Sequence, residues 1–346
     1  MFEITNKLLQ QVILKINSKI IDVIKNLNNS NLQIVLVVSS KNKLIGTITD
    51  GDIRRSLLKG FQLNDSIEKI VNKKPFVFNE YINTNMIEII MKSKSLLQVP
   101  RTNKNGKILG LYMWKNPDRP EKYQNPVVIF AGGFGKRLMP FTKKIPKPML
   151  KINGSPILEH IIKSIKSQGF ENFIITTHYL PKVIREYFQD GKKMGVNINY
   201  INEKKPLGTA GSLRFLKNKN ENIIAINGDI LTNINIVEML KYHIKNKSDA
   251  TMAVKLFEMQ NPYGVVRANG NVIQNFIEKP IQKTIINAGI YIINSNNLKF
   301  LRKKRTEIPE LFEILKNNSK KTIIYPIHEN WLEIGNVETF KKIQNN

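Results

Sequence analysis

Residues 131–137 read Ala-Gly-Gly-Phe-Gly-Lys-Arg and follow the apolar run Val127–Phe130. Gly132, Gly133 and Gly135 let the backbone take positive φ and come close to a ligand. Successive N–H groups in such a loop converge on anionic oxygens. Arg137 suits forked contact with phosphate, and Lys147 acts as a mobile point charge. The loop is not a Walker A motif: Gly135-Lys136 lacks the upstream glycine, and Arg follows instead of Ser or Thr. Nor is it GxGxxG, since Leu138 stands where the last glycine belongs. Two carboxylates further on suit the same chemistry. Asp229 follows the β-rich run Ile223–Ile226 and Gly228, where it can hold a hard cation such as Mg²⁺. Glu203 precedes Pro206-Leu207-Gly208 and can accept hydrogen bonds from N–H donors of a ligand. The bland readings are a tight strand-to-loop turn, a helix start with glycine caps, and an ordinary Asp turn.

The continuation of the loop narrows this. Arg137 is followed by Pro140, Thr142, Pro146, Lys147 and Pro148, then Met149-Leu150. The stretch resembles the GGxGxRLxPxTxxxPKPxL motif of sugar-1-phosphate nucleotidyltransferases. The resemblance implies that Ala131, Gly132, Gly133 and Gly135 wrap a nucleoside triphosphate. It also implies that Arg137 grips the β- and γ-phosphates and that Lys147 lies at the α-phosphorus. Position 136 is usually Thr or Ser in that family, and Lys136 departs from it. Glu203 and Gly208 match the E-x-x-PLGTAG segment that frames the base, in the form most like the guanylyltransferase branch; UTP, CTP and dTTP stay open. Asp229 matches a metal ligand. Gly264, Glu278 and Asn287 match residues on the sugar hydroxyls or amine, and Lys279 matches the group on the sugar phosphate. Trp331-Leu332-Glu333-Ile334-Gly335 resembles W-x-D-x-G, whose Asp is the second Mg²⁺ ligand. Glu333 places its carboxylate about 1.5 Å further out, one C–C bond. Mg²⁺ demands near-octahedral geometry but keeps several waters, so a shifted or water-mediated contact is the expectation and impaired metal binding the alternative.

In this chemistry a sugar-phosphate oxygen attacks the α-phosphorus in line and pyrophosphate leaves. Both reactants are anions, so alignment and charge neutralisation carry the catalysis, with no covalent protein intermediate. His160, His178, His243 and His328 show no metal-ligand spacing and read as surface or packing residues.

The elements that must position these groups alternate. Strand-like runs at Val127–Phe130, Phe173–Thr177, Ile198–Ile201, Ile223–Ile226, Ala250–Leu256 and Ile323–Tyr325 are separated by helical patterns. Those patterns cover Ser155–Gln168, Lys182–Gln189, Ala210–Leu216 and Asn233–Asn246. This predicts an α/β domain over 126–346, a Rossmann-like, mostly parallel sheet with helices on both faces. The family resemblance makes it GT-A-like. Ligands in such folds sit outside the carboxyl ends of the strands.

A Pro-rich, charged linker over 116–125 precedes that domain. Residues 1–115 contain an internal repeat: 32–52 aligns with 96–116 at an offset of 64 residues, Gly46 onto Gly110. Each unit reads helix, strand, turn, strand, and such repeats bury their faces against each other. The pair resembles a small α/β tandem CBS module, which often binds an adenine nucleotide. That family holds ribose and phosphate with a Thr or Ser and an Asp three residues later. Thr49 and Asp52 match; the second repeat has Met113 and Asn116 instead. The bland reading is a module kept for packing or homo-oligomerisation.

Composition sets the outer limits. The net charge of +27 comes from forty-four Lys and ten Arg spread along 346 residues rich in Ile and Asn. Specific nucleic-acid readers lean on Arg and cluster their charge. The spread therefore favours anionic small molecules over nucleic acid. No apolar run is long enough for a membrane span, the N-terminus has no signal-peptide pattern, and cysteine is absent. A cytoplasmic protein is expected, with no acyltransferase domain after the last residue. The order of a CBS pair and a guanylyltransferase-like domain resembles enzymes that activate glucosamine-1-phosphate as GDP-glucosamine on the way to legionaminic acid. The expected activity is Mg²⁺-dependent transfer of GMP from GTP to a hexosamine-1-phosphate. The rivals are mannose-1-phosphate guanylyltransfer, another hexose-1-phosphate nucleotidyltransfer, and a non-catalytic nucleotide sensor.

Overall fold

The computed structural model describes residues 2–344 apart from 6, 31, 80, 81, 95, 115–120, 217–221, 302 and 303. Asn116 and the first half of the expected linker, residues 116–120, lie outside the described residues. The chain divides into two compact units, Met1–Lys122 and Tyr123–Asn346. Among the described residues no helix is long and apolar enough to cross a membrane.

In the first unit the repeat is structural. β1 (Ile13–Lys15), α1 (Ile20–Ser30), β2 (Ile34–Val38) and β3 (Leu44–Thr49) are followed by α2 (Asp50–Leu58). The second copy has β4 (Phe78–Asn79), α3 (Thr84–Ser93), β5 (Gln98–Thr102) and β6 (Ile108–Met113). In both copies the hairpin is antiparallel and the short first strand pairs parallel with the second. Even the register shift recurs, at Val37/Val38 and at Arg101/Thr102. All five residues of β2 are buried because it is apolar on both faces. Val35 and Val37 pack under α1, while Ile34 and Leu36 meet Leu111 and Met113 of the other copy. The two repeats thus share a core, as expected of units that cannot bury an apolar face alone.

The second unit is built on a seven-stranded sheet. Its parallel members include β7 (Val127–Phe130), β8 (Asn172–Thr177), β9 (Asn197–Asn202) and β10 (Asn222–Asn227). Next comes β11 (Ile230–Thr232), outside the main sheet. A long pair follows, β12 (Ala250–Gln260) and β15 (Ile281–Asn294), with β13 (Val265–Asn269) and β14 (Val272–Ile277) forming a hairpin between them. Strands β16 (Thr322–Ile327) and β17 (Trp331–Glu333) close the set. The sheet order is β9-β8-β7-β10-β15-β12-β16, and only β15 runs against its neighbours.

Alternation along β7 explains the layers. Val127 and Ile129 face one core, with α4 (Ile157–Lys166), α5 (Pro181–Phe188) and α6 (Ile236–Lys245). Val128 faces the other, with α7 (Ile308–Asn317). Both faces are therefore covered, which suits buried parallel strands.

One expected helix is corrected. Ala210–Leu216 forms only a 3₁₀ turn, Gly211–Phe215. The N–H groups of Ala210 and Gly211 both bond to the Thr306 carbonyl, so a tertiary contact takes the donors at the start of that turn. The β12–β15 arm also outruns the expected strand at Ala250–Leu256. Its outer part carries exposed Phe257, Met259, Val266, Ile273, Phe276 and Ile285 and has no burial signal in its pattern.

Candidate active site

A cavity of about 590 Å³ opens at the carboxyl ends of β7, β8 and β10. The register sets those ends level, with Phe130 opposite Thr176 on one side and Asn227 on the other. Ala131, Gly132, Gly133 and Gly135 all line the cavity, together with Arg137, Lys147, Glu203, Gly208 and Asp229. Residues from distant parts of the sequence thus meet at one cavity.

The glycine loop is held from behind. Gly135 has φ 63°, and a Cβ there would lie 2.8 Å from Thr142 Cγ2. Thr142 is fully buried and donates its hydroxyl to the Gly135 carbonyl at 2.8 Å. The motif threonine is therefore a loop brace. His178 adds a second brace: its ring meets Phe134 edge-on at 5.3 Å, and its Nδ1 bonds to the Glu203 carbonyl at 2.7 Å. Sequence reasoning assigned the histidines to surface or packing, and His178 packs at the rim of the site. His243 is a core residue, hydrogen-bonded to Thr251, with burial lowering its pKa to about 4.

Glu203 is 8 % exposed. One carboxylate oxygen accepts the Leu207 N–H at 2.9 Å, and the other lies beside Gly132. Burial pushes its carboxyl up, and the Leu207 N–H only partly opposes that. Gly208, at φ 79°, brings the loop so close to Thr306 that a Cβ would lie 2.4 Å from its carbonyl oxygen. Thr209, next in line, donates its N–H and its hydroxyl to Glu307, each at 3.0 Å. Its hydroxyl also accepts the Ile308 N–H at the start of α7. Burial raises the Glu307 carboxyl, but the Thr209 donors and Arg305 together hold it below the usual carboxylate range. Thr209, Arg305 and Glu307 line the cavity and were missed in sequence, because nothing local links 305–307 to the base loop.

Asp229 pairs with Lys147 through one carboxylate oxygen. The other, Oδ1, is buried and has no hydrogen-bond partner among the described residues; the same holds for Asn227 Oδ1. Buried unsatisfied acceptors are costly, and a hard carboxylate or amide oxygen left without a donor suits a divalent cation. Glu333 reaches the same corner through the ladder of β11 and β17. There Ile230 is opposite Glu333, and Ile334 donates its N–H to the Asp229 carbonyl at 3.0 Å. Trp331 anchors this strand by donating its indole N–H to the Ala288 carbonyl at 2.8 Å. Glu333 also lies 3.8 Å from Arg137, both partly exposed.

The residues expected on the sugar are not brought into the cavity lining. Gly264, Glu278 and Lys279 form a separate group on the exposed arm. A Cβ at Gly264 would lie 3.1 Å from Glu278 Oε2, and Lys279 is 3.9 Å from Glu278. Asn287 sits at the root of the arm, donating to the Tyr291 hydroxyl at 2.8 Å. Burial pushes the Tyr291 pKa up to about 12. In the first unit, Asp52 accepts from the Thr49 N–H and hydroxyl at 2.8 and 2.7 Å and from Arg55 at 2.6 Å. The Thr49–Asp52 pair is thus engaged at the N-terminus of α2.

Residues 126–346 match the nucleotidyl transferase family. The chain belongs to that family. Residues 8–59 match the CBS domain, which covers the first repeat of the N-terminal unit. Over 224 residues the chain is 31% identical to a mannose-1-phosphate guanyltransferase of Pichia angusta, covering 62% of this chain and 61% of that protein. It therefore spans less than two thirds of the length of that relative. It is 36% identical over 170 residues to a D-glycero-alpha-D-manno-heptose 1-phosphate guanylyltransferase of Aneurinibacillus thermoaerophilus, covering 48% of this chain and 74% of the relative. Among solved structures, HddC from Yersinia pseudotuberculosis complexed with GMP-PN is 25% identical with a TM-score of 0.50, covering 64% of this chain and 99% of that one. This nucleotidyl transferase thus carries its family's fold behind a CBS unit.

Proposed function

We propose that this chain transfers GMP from GTP to a hexosamine-1-phosphate, with glucosamine-1-phosphate as substrate on a route to legionaminic acid. The observation that carries the reading is the cavity that gathers the glycine loop, Arg137, Lys147, Glu203 and Asp229 at the ends of parallel strands. The phosphate oxygen of the sugar phosphate attacks the α-phosphorus. The bond from that phosphorus to the bridging oxygen breaks, and its electron pair leaves with pyrophosphate. Arg137 and Lys147 hold the two anions against their mutual repulsion. Asp229 and Glu333 would hold Mg²⁺, which when bound supplies positive charge beside the reacting phosphate. Lys147 must exchange Asp229 for phosphate as substrate enters, and the orphaned Oδ1 keeps Asp229 available to the cation.

Glu203 supports guanine, whose N1–H and N2–H present adjacent donors to a carboxylate. The amino sugar rests on the resemblance that matches Glu278 to the sugar amine; Glu278 itself stands on the arm, outside the cavity lining. A second reading, mannose-1-phosphate as acceptor, is favoured by the names of relatives such as the Pichia angusta protein. Pyrophosphate release with Mg²⁺ separates them. GTP, UTP, CTP, dTTP and ATP are crossed with glucosamine-, N-acetylglucosamine-, mannose- and glucose-1-phosphate. Release with GTP and glucosamine-1-phosphate alone is expected. Release with mannose-1-phosphate instead replaces the acceptor and keeps the mechanism. Silence across the grid with nucleotide still bound overturns the transfer reading in favour of a sensor.

A further inference from the structure

Four cations line the cavity: Lys136, Arg137, Lys147 and Arg305. Three already face a carboxylate, Lys147 with Asp229, Arg305 with Glu307 at 3.0 Å and Arg137 with Glu333 at 3.8 Å. Among the described residues Lys136 has no carboxylate partner. Its ammonium lies over the Phe134 ring, 5.8 Å from the centroid. A ring face attracts a cation weakly, about 0.5–1 kcal/mol at an exposed site, and leaves its charge uncompensated. The contact therefore holds the ammonium near the loop without spending it. Beside it, a Cβ at Gly133 would meet nothing within 4 Å, so the tip of the loop borders open space.

We propose that Lys136 grips the terminal phosphates of the incoming nucleotide and the pyrophosphate that leaves. The assignment rests on the nucleotidyl-transfer reading above and deepens it. When the bond from the α-phosphorus to the bridging oxygen breaks, negative charge grows on the departing pyrophosphate. An unpaired cation stabilises that charge without first breaking an ion pair, which Arg137, Lys147 and Arg305 must each do. Lys136 is then a determinant of preference for triphosphate over monophosphate.

The test titrates the full chain with inorganic pyrophosphate and, separately, with GMP, both with Mg²⁺ present. Lys136→Met is expected to weaken pyrophosphate roughly tenfold, the scale of one charge-assisted hydrogen bond, and to leave GMP unchanged. Lys136→Arg is expected to restore most of the loss. The side chain is exposed and has no hydrogen bond among the described residues, so both variants are expected to fold. Unchanged pyrophosphate affinity in Lys136→Met overturns the assignment. Equal loss of pyrophosphate and GMP also overturns it, since that marks general damage to the loop. A wild-type chain that binds neither probe overturns the functional reading itself, and this one with it.

Discussion

Glu203 allows a test in which stability and activity move in opposite directions. Its carboxylate is 8 % exposed, with one oxygen spent on the Leu207 N–H and the other left beside Gly132 in the cavity. Glu203→Gln keeps the shape and an acceptor for Leu207 but removes the charge. Burial raises the native carboxyl pKa above the unfolded value. The sign follows from linkage. A raised carboxyl contributes stability that is fully present below the unfolded pKa and is lost as pH rises through the native one. Above its native pKa the wild type has lost that contribution and holds a desolvated charge, whereas the variant does not. The melting temperature of Glu203→Gln relative to wild type is therefore expected to rise from about pH 3 to about pH 8, limits that bracket the ordinary Glu value of about 4.3. Activity goes the other way. A hydrogen bond to a charged group is worth about 1.5–3 kcal/mol. At about 1.4 kcal/mol per decade, kcat/KM for GTP falls some ten- to 150-fold, with UTP much less affected. Thermal melts across pH and steady-state rates with both nucleotides make the assay. A variant that melts lower at pH 8 and keeps full GTP turnover would refute the argument, because the carboxylate would then be a structural anchor only.

Asp229→Asn is expected to cut turnover by about 10²–10³, the scale of one lost electrostatic contact at the reacting centre, and to leave the circular dichroism spectrum unchanged; retained Mg²⁺-dependent turnover would count against the metal role. Thr209→Val removes the hydroxyl that donates to Glu307 and accepts from Ile308 while keeping the backbone N–H to Glu307, and should cost about 1–2 kcal/mol in urea unfolding. Gly135→Ala places a methyl 2.8 Å from Thr142 in a left-handed backbone. It should raise KM for the nucleotide more than it lowers stability, measurable by comparing KM with the melting temperature.

What the sequence determined by itself is local. A strand that ends in a glycine loop, or in Gly228-Asp229, carries its site residues within one turn of its own carboxyl end, so chain order predicts where they stand. The repeat was legible for the same reason: each copy repeats one helix-and-hairpin unit, and the register shift repeats with it. Apolar alternation likewise placed most of the strands and helices. The tertiary structure decided the rest. Glu307 holds Thr209 across 98 residues, and Glu333 stands beside Asp229 only because β11 pairs with β17. Ala210–Leu216 looks helical in sequence, yet the Thr306 carbonyl takes its first N–H groups. Thr49 and Asp52 match a ligand pair in spacing, and the fold closes them on each other and on Arg55. Gly264, Glu278 and Lys279 meet on the arm rather than in the cavity. A motif specifies which groups a site needs. Which partner each group meets depends on hydrogen bonds and ladders between segments far apart in the chain, and no local periodicity encodes those.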